Sequence, residues 1–265
     1  MLSYLHAFHA GGWVDVFKHA ALALLVRALR KKETPFAYLE THAGRGVYDL
    51  DSATAQKTGE HRGGIARIGL DAAGAPPELQ PYIEAVRSAN PDGALRTYPG
   101  SPYIVRHLLR HGDRMSLAEL HPGEYPALRR FFARDGQVGV HHADGYATLK
   151  SLLPPREKRG LVFIDPSYEV QGEYEQVLRA VVDARRRFSG GVFAVWYPVL
   201  LAGGADRMLS AIRTSGIRKV FRAELLLRPP ETPEGINGSG VVVVNPPWKW
   251  DAEIERLLPW LRDRL

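Results

Sequence analysis

Cysteine is absent from this chain of 265 residues, and that absence removes several chemistries together. Disulfides, cysteine-based zinc sites, thiolate-ligated iron–sulfur clusters and cysteine nucleophiles are all excluded. Methylation of a pyrimidine ring carbon through a cysteine adduct goes with them, while direct transfer to nitrogen or oxygen stays open. No run of roughly 18 or more apolar residues occurs, so no transmembrane helix is expected. Met1 to Gly12 lacks a basic segment followed by an apolar one, so a signal peptide is not expected and the cytoplasm is the expected compartment. What the chain has is 45% hydrophobic residues, enough to bury a full core, and a net charge of +6. That charge suits a polyanionic partner, although arginine greatly outnumbers lysine and compositional bias explains part of it.

Strand and helix patterns alternate. Residues 13–32 read as a helix with apolar positions at Val14, Phe17, Ala21, Leu24, Leu25 and Leu29. A first strand follows at Phe36-Ala37-Tyr38-Leu39, and further strands are expected at Ser116–Leu120, Val138–His141, Leu161–Ile164, Gly191–Trp196, around Lys219–Leu227, and at Val241–Asn245. This is the pattern of a doubly wound α/β sheet. Residues 47–98, rich in Ala, Gly and Pro, hold no convincing strand and read as a helical insertion; residues 1–46 and 99–265 then form one catalytic domain. Asp251 to Leu265 reads as an amphipathic helix packed on the core.

The sharpest local signal is Asp165-Pro166-Ser167-Tyr168, directly behind the apolar run Leu161-Val162-Phe163-Ile164. An acid, a proline and an aromatic at a strand end suit methylation of an exocyclic amino group. The N6 nitrogen of adenine is a poor nucleophile because its lone pair is delocalised into the ring. A carboxylate and a backbone carbonyl, each accepting one N–H, favour its pyramidal geometry. Proline shapes the turn and leaves a carbonyl with no N–H beside it, and the Tyr168 ring offers a platform for an extruded base. A plain strand-ending turn would also explain these four residues.

Three further strand ends line up with it. Glu40-x-x-x-Gly44-x-Gly46 allows a tight turn and close approach to a nucleoside, but lacks the third glycine of the dinucleotide fingerprint. Glu119 is placed to accept ribose hydroxyls. Its interval from Gly46 exceeds the usual gap of about 20 residues, which removing 47–98 restores. Asp144, followed by Gly145, is placed to read the amino group of a cofactor adenine, with the glycine permitting close approach. Asn245-Pro246-Pro247-Trp248 is a rival tetrapeptide. Only 17 residues follow it, with no strand ends left to carry a cofactor, so catalysis is assigned to Asp165 and a structural role to Asn245.

Taken together, Met1-Leu2-Ser3-Tyr4, His6, Phe8-His9-Ala10-Gly11, Asp15-Val16, Lys18-His19, Thr41-His42-Ala43-Gly44, Tyr98-Pro99-Gly100-Ser101-Pro102, Glu119-Leu120-His121-Pro122, Ala143-Asp144-Gly145, Trp196-Tyr197-Pro198 and Asn245-Pro246-Pro247-Trp248 closely resemble the ribosomal large-subunit methyltransferase J family. The resemblance implies a class I S-adenosylmethionine-dependent methyltransferase fold, Rossmann-like, that N6-methylates one adenine of 23S rRNA. It implies that His19, His42, Ser101, Glu119, Asp144, Gly145 and Asp165 contact or border S-adenosylmethionine, that Asp165 is also the catalytic acceptor, and that Tyr4 touches the RNA. The family tetrapeptide is Asp-Pro-Pro-Tyr, and Ser167 stands here in place of the second proline; the acceptor groups survive, so activity is expected to persist.

The histidines His6, His9 and His19 also have the look of a metal site, but methyl transfer from a sulfonium needs none. Instead, Tyr4, His6, His9 and Lys18 are expected to form a mobile clamp over the extruded adenine, hinged at Gly11-Gly12. The expected partner is 23S rRNA, free or within an assembling ribosomal particle, and the expected unit is a monomer. Two other readings are a non-catalytic RNA-binding or ribosome-assembly protein on the same fold, suggested by Ser167, and a DNA adenine methyltransferase, for which 47–98 looks small as a target-recognition domain.

Overall fold

A computed structural model describes residues 5–233 and 235–265. Its strands, in chain order, are β1 (Ala37–Glu40), β2 (Val47–Asp49), β3 (Thr97–Pro99), β4 (Arg114–Ala118), β5 (Val138–His141), β6 (Gly160–Ile164), β7 (Val192–Val199), β8 (Val220–Leu226) and β9 (Gly238–Val244). Seven of them form one sheet in the order β5-β4-β1-β6-β7-β9-β8. The pairs from β5 through β7 are parallel, whereas β9 runs antiparallel to both β7 and β8. This is the class I methyltransferase sheet expected from the sequence. The order reverses between β1 and β6, and in open α/β sheets the crevice at that reversal, beyond the carboxyl ends of the strands, takes the ligand.

The central strands are buried along their whole length because helices cover both faces; every residue of β1, β6 and β9 is buried. The helices are α1 (Trp13–Arg30), α2 (Ala53–Thr58), α3 (Ile65–Ile68), α4 (Gln80–Ser88), α5 (Ser101–Leu108), α6 (Tyr125–Phe131), α7 (Gly145–Leu152), α8 (Glu173–Arg187), α9 (Gly204–Thr214) and α10 (Trp250–Arg264). One core lies between the sheet and α1, α4, α5 and α10, and the other between the sheet and α7, α8 and α9. Trp250, one residue ahead of the helix expected at Asp251 to Leu265, begins α10, is fully buried and donates to the Ala21 carbonyl of α1.

Two expectations need correcting. Residues 47–98 do contain strands: β2 and β3 pair antiparallel and bracket α2 to α4. Strands of three residues carry too short an alternation to stand out in a sequence rich in Ala, Gly and Pro. The second concerns the strand expected at Ser116–Leu120, which is shifted to Arg114–Ala118, leaving Glu119 and Leu120 just beyond its tip.

Candidate active site

A cavity of about 340 Å³ opens at the carboxyl ends of β1, β4, β5 and β6. Its lining includes His6, His9, Lys18, His19, His42, Gly44, Ser101, Glu119, Asp144, Gly145, Asp165 and Pro166, so residues spread over 160 positions of chain meet in one place. Tyr4 lies outside the described residues.

The loop after β1 depends on its glycines. Gly44 has φ +62° and Gly46 φ +90°, and a Cβ on Gly44 would overlap the Tyr48 hydroxyl. Glu119 holds this loop in place. Its two carboxylate oxygens accept from the backbone N–H of Gly44 and of His121, each at 2.7 Å. Burial pushes its carboxyl above the usual range, and those two N–H groups oppose the shift. Each oxygen keeps a second lone pair for a ligand hydroxyl. Asp144 caps α7, its Oδ1 accepting from Tyr146 N at 2.8 Å. Gly145 is needed for a reason the sequence did not disclose: a Cβ there would overlap the backbone of Thr41, so the glycine serves the contact between α7 and β1.

Glu40, at the tip of β1, received no role from the sequence. It is buried, accepts from the hydroxyls of Ser101 and Tyr38, and its carboxyl is pushed up to about 8 by burial, against those two hydrogen bonds. His19 Nδ1 lies 2.8 Å from the Tyr98 hydroxyl, and burial holds its imidazole down at about 3. His42 is likewise held down to about 4 by burial. Both rings are therefore neutral at physiological pH.

The chemical centre is a buried charge cluster. Lys18 Nζ sits 2.7 Å from Asp165 Oδ2 and 3.1 Å from Asp15 Oδ1, over the Trp196 ring at 5.0 Å from its centroid. Asp15 Oδ2 accepts from Gly11 N at 3.0 Å and lies 2.9 Å from His6 Nε2. Burial pushes the Asp165 carboxyl up, and the Lys18 ammonium opposes that. Asp15 is driven the other way, well below its ordinary value: His6, Lys18 and His19 together outweigh a desolvation that is itself the largest single influence. Asp15 and Trp196 were visible in sequence motifs, but only the packing of α1 on β7 and β9 gives them a place at the site.

Three expectations about the site change. Lys18 is not part of a mobile arm; it lies in α1 with 4% of its side chain exposed. Gly11-Gly12 is no hinge, because both are buried, Ile65 N donates to Gly11 O at 2.8 Å, and Gly64 packs directly on this stretch. Tyr168 does not turn its ring to the cavity. It sits with φ +57°, its hydroxyl donates to Trp196 O at 2.7 Å, and its ring packs at 4.4 Å on Tyr174. It anchors the loop that holds Asp165 and Pro166, and Ser167 lines the cavity beside them. The structural role given to Asn245 agrees with its side-chain amide donating to the Gly190 and Gly191 carbonyls, each at 3.2 Å.

A family model described as "Ribosomal RNA large subunit methyltransferase D, RlmJ" matches residues 33–265. The chain is 45% identical over 265 residues to the ribosomal RNA large subunit methyltransferase J of Escherichia coli strain K12, spanning 100% of this chain and 94% of that protein. This chain belongs to that family. The corresponding protein of Haemophilus influenzae is 43% identical over 266 residues, with the same shares covered. The fold is shared as well: the crystal structure of protein LPL1258 from Legionella pneumophila matches at a TM-score of 0.90 and 41% identity, covering 97% of this chain and 94% of that one. Among the family's motifs, the cavity therefore draws on those of the N-terminal segment, the β1 glycine loop, and the tips of β4, β5 and β6.

Proposed function

We propose that the cavity methylates the exocyclic N6 of one adenine in 23S rRNA, with Asp165 as the group that holds the amino nitrogen. Membership of the family makes the protein an S-adenosylmethionine-dependent ribosomal RNA methyltransferase. The donor set fits that cofactor, which carries a sulfonium and an ammonium. Among the described lining residues seven carboxylates stand against one ammonium, that of Lys18. When bound, the cofactor supplies an electrophilic methyl group. Glu119 is placed for the ribose hydroxyls and Asp144 for the adenine amino group, while Glu40, Ser101, His19 and His42 line or support the rest of the pocket.

The observation that carries the N6 reading is the buried Lys18–Asp165 pair at the strand-order reversal. The ammonium at 2.7 Å favours the charged form of Asp165 against its desolvation, and a charged carboxylate accepts an amino N–H more strongly than a neutral acid does. The proton on nitrogen becomes acidic only after the methyl is in place, so the acceptor need not be a strong base. In this reading His6 and His9 face the RNA base from the N-terminal segment, and Tyr4 belongs to the same group. Residues 47–98 act as an insertion that braces the segment. Thr58 donates to the Phe8 carbonyl, and His9 Nδ1 lies 2.7 Å from Glu60 Oε1. The enzyme works as a monomer in the cytoplasm, on free 23S rRNA or on an assembling particle. Mapping N6-methyladenine along 23S rRNA from cells with and without the gene tests the reading. One adenine should lose its mark, and an unchanged map would overturn it.

A further inference from the structure

The cavity mouth is acidic while the chain as a whole carries +6, so the surplus cations lie elsewhere. Many gather at the opposite edge of the sheet, where the parallel strands begin. The registers place the starts of β4, β1, β6, β7 and β8 and the end of β9 side by side along this edge. At about 4.8 Å per strand, six neighbouring strands give a row roughly 24 Å long. Lys32, Lys158, Arg187, Lys219 and Lys249 are exposed on it. Nearby acids are mostly committed: Asp113 to Arg110, Glu157 to Arg114, and Glu253 to Lys31 and Arg27. Glu33 and Asp251 are the exposed acids of the same edge.

Two further observations single this edge out. Among the described residues, six other than glycine have positive φ, and three of them are lysines here: Lys158 at 53°, Lys219 at 58° and Lys249 at 65°. A side chain in that region is strained where glycine would not be, and lysine occupies all three turns. The other is Trp248, 81% exposed at the tip of Asn245-Pro246-Pro247-Trp248, with the Lys249 ammonium 5.9 Å from its ring centroid. The turn beneath it is fixed by Asn245, whose N–H donates to Lys219 O at 2.7 Å and whose side chain binds the Gly190 and Gly191 carbonyls. A rigidly presented indole among ammonium groups is the arrangement that stacks an unpaired base and holds the phosphates around it.

We propose that this edge is a second RNA-binding surface, with Lys158, Lys219 and Lys249 on phosphates and Trp248 stacked on an unpaired base, anchoring the same ribosomal RNA whose adenine enters the cavity. The inference rests on the RNA-methyltransferase reading above. The sheet is four to five residues deep at β1 and β6, about 16 Å at 3.3 Å per residue, so a folded RNA can touch both ends. Anchoring at a distance also answers the acidic mouth, which attracts a cationic cofactor and repels phosphates.

The lysines supply their own clean test, because glycine removes the charge and relieves the backbone strain together. The triple variant Lys158→Gly, Lys219→Gly, Lys249→Gly of the full chain is titrated with 23S rRNA purified from cells lacking this enzyme. The plot of log K against log salt should lose about 2–3 units of slope, at about 0.7–0.9 per phosphate released. Trp248→Ala should weaken RNA binding about tenfold. S-adenosylmethionine affinity should stay near wild type in both variants, and thermal unfolding near wild type for Trp248→Ala and at or above it for the triple variant. Unchanged RNA affinity and salt slope in a folded, cofactor-binding triple variant would overturn the proposal. So would a triple variant that loses binding to anionic phosphatidylserine vesicles while keeping RNA. Wild-type protein that binds this RNA through the edge but transfers no methyl to it would instead sink the catalytic reading and leave the edge standing.

Discussion

Lys18 is shared by two carboxylates, and the sharing gives each a different task. Asp165 faces the cavity and is available to an amino group; Asp15 is enclosed, holding Lys18, His6 and the Gly11 N–H at once. Asp165→Ala should therefore cut methyl transfer by about 10²–10⁴, the range for a positioned proton acceptor, with cofactor binding largely kept. Near-normal single-turnover rates in that variant would remove Asp165 from the chemistry. Asp15→Asn keeps the shape and the Gly11 contact but loses the charge that Lys18 and His6 face. Stability in urea should drop by about 1–3 kcal/mol, as for a buried hydrogen-bonded group losing its partner. Transfer to RNA should fall by more than S-adenosylmethionine affinity does, because the groups it positions face the substrate side. Equal losses in both would make Asp15 a purely structural residue.

At the scale of elements, the N-terminal segment is held by residues far along the chain. Glu60 meets His9, Thr58 meets the Phe8 carbonyl, and Ile65 N meets Gly11 O, so the segment before α1 and the stretch between β2 and β3 form one assembly over the cavity. Its tightest point is Gly64, where a Cβ would run into the backbone of Gly11, Gly12 and Trp13. Gly64→Ala should force the start of α1 away from α3 and displace His6 and Asp15 with it. The expected result is a melting temperature lower by several degrees, on the order of 2–4 °C per kcal/mol in a domain of this size, and a loss of methyl transfer beyond what the melting shift explains at the assay temperature. An alanine variant with wild-type melting and rate would mean that the two stretches are not coupled.

For the whole molecule, the buried titratable groups at the site set a pH window for the protein without ligands. His19 and His42 titrate near 3 and 4 in the fold against 6.5 when unfolded. The unfolded chain thus takes up protons first on acidification, and stability is lost as pH falls below 6.5. Glu40 titrates near 8 in the fold against 4.5 when unfolded, so the stability it gives is complete below 4.5 and is lost as pH rises toward 8. Between 4.5 and 6.5 two histidines oppose one glutamate, each worth about 1.4 kcal/mol per pH unit, and the histidines win. Stability should peak near pH 6.5, and Glu40→Gln should flatten the alkaline limb and steepen the acidic one between 4.5 and 6.5, where nothing then offsets the two histidines. Thermal melts across pH 4–9 check this; an alkaline limb that survives in Glu40→Gln would show that another group causes it.

The order of elements, the class of fold and the residue types at four strand ends were legible in the chain, because apolar periodicity and turn chemistry are local and short loops keep them in order. So was the placing of Asp165, rather than Asn245, at the cavity end of the sheet, which needed only the count of strands that follow each. The two strands bracketing α2 to α4 were not, since three residues carry too little pattern. Nor was the fate of individual side chains. Lys18 reads as part of an arm until α1 packs on the sheet and buries it against Asp165. Tyr168 reads as a stacking platform until its hydroxyl finds the Trp196 carbonyl. Gly145 reads as making room for a ligand until Thr41 fills that room. Periodicity says which face of an element is buried; which partner a buried charge or ring meets depends on residues tens to hundreds of positions away, and only the packed sheet brings those together.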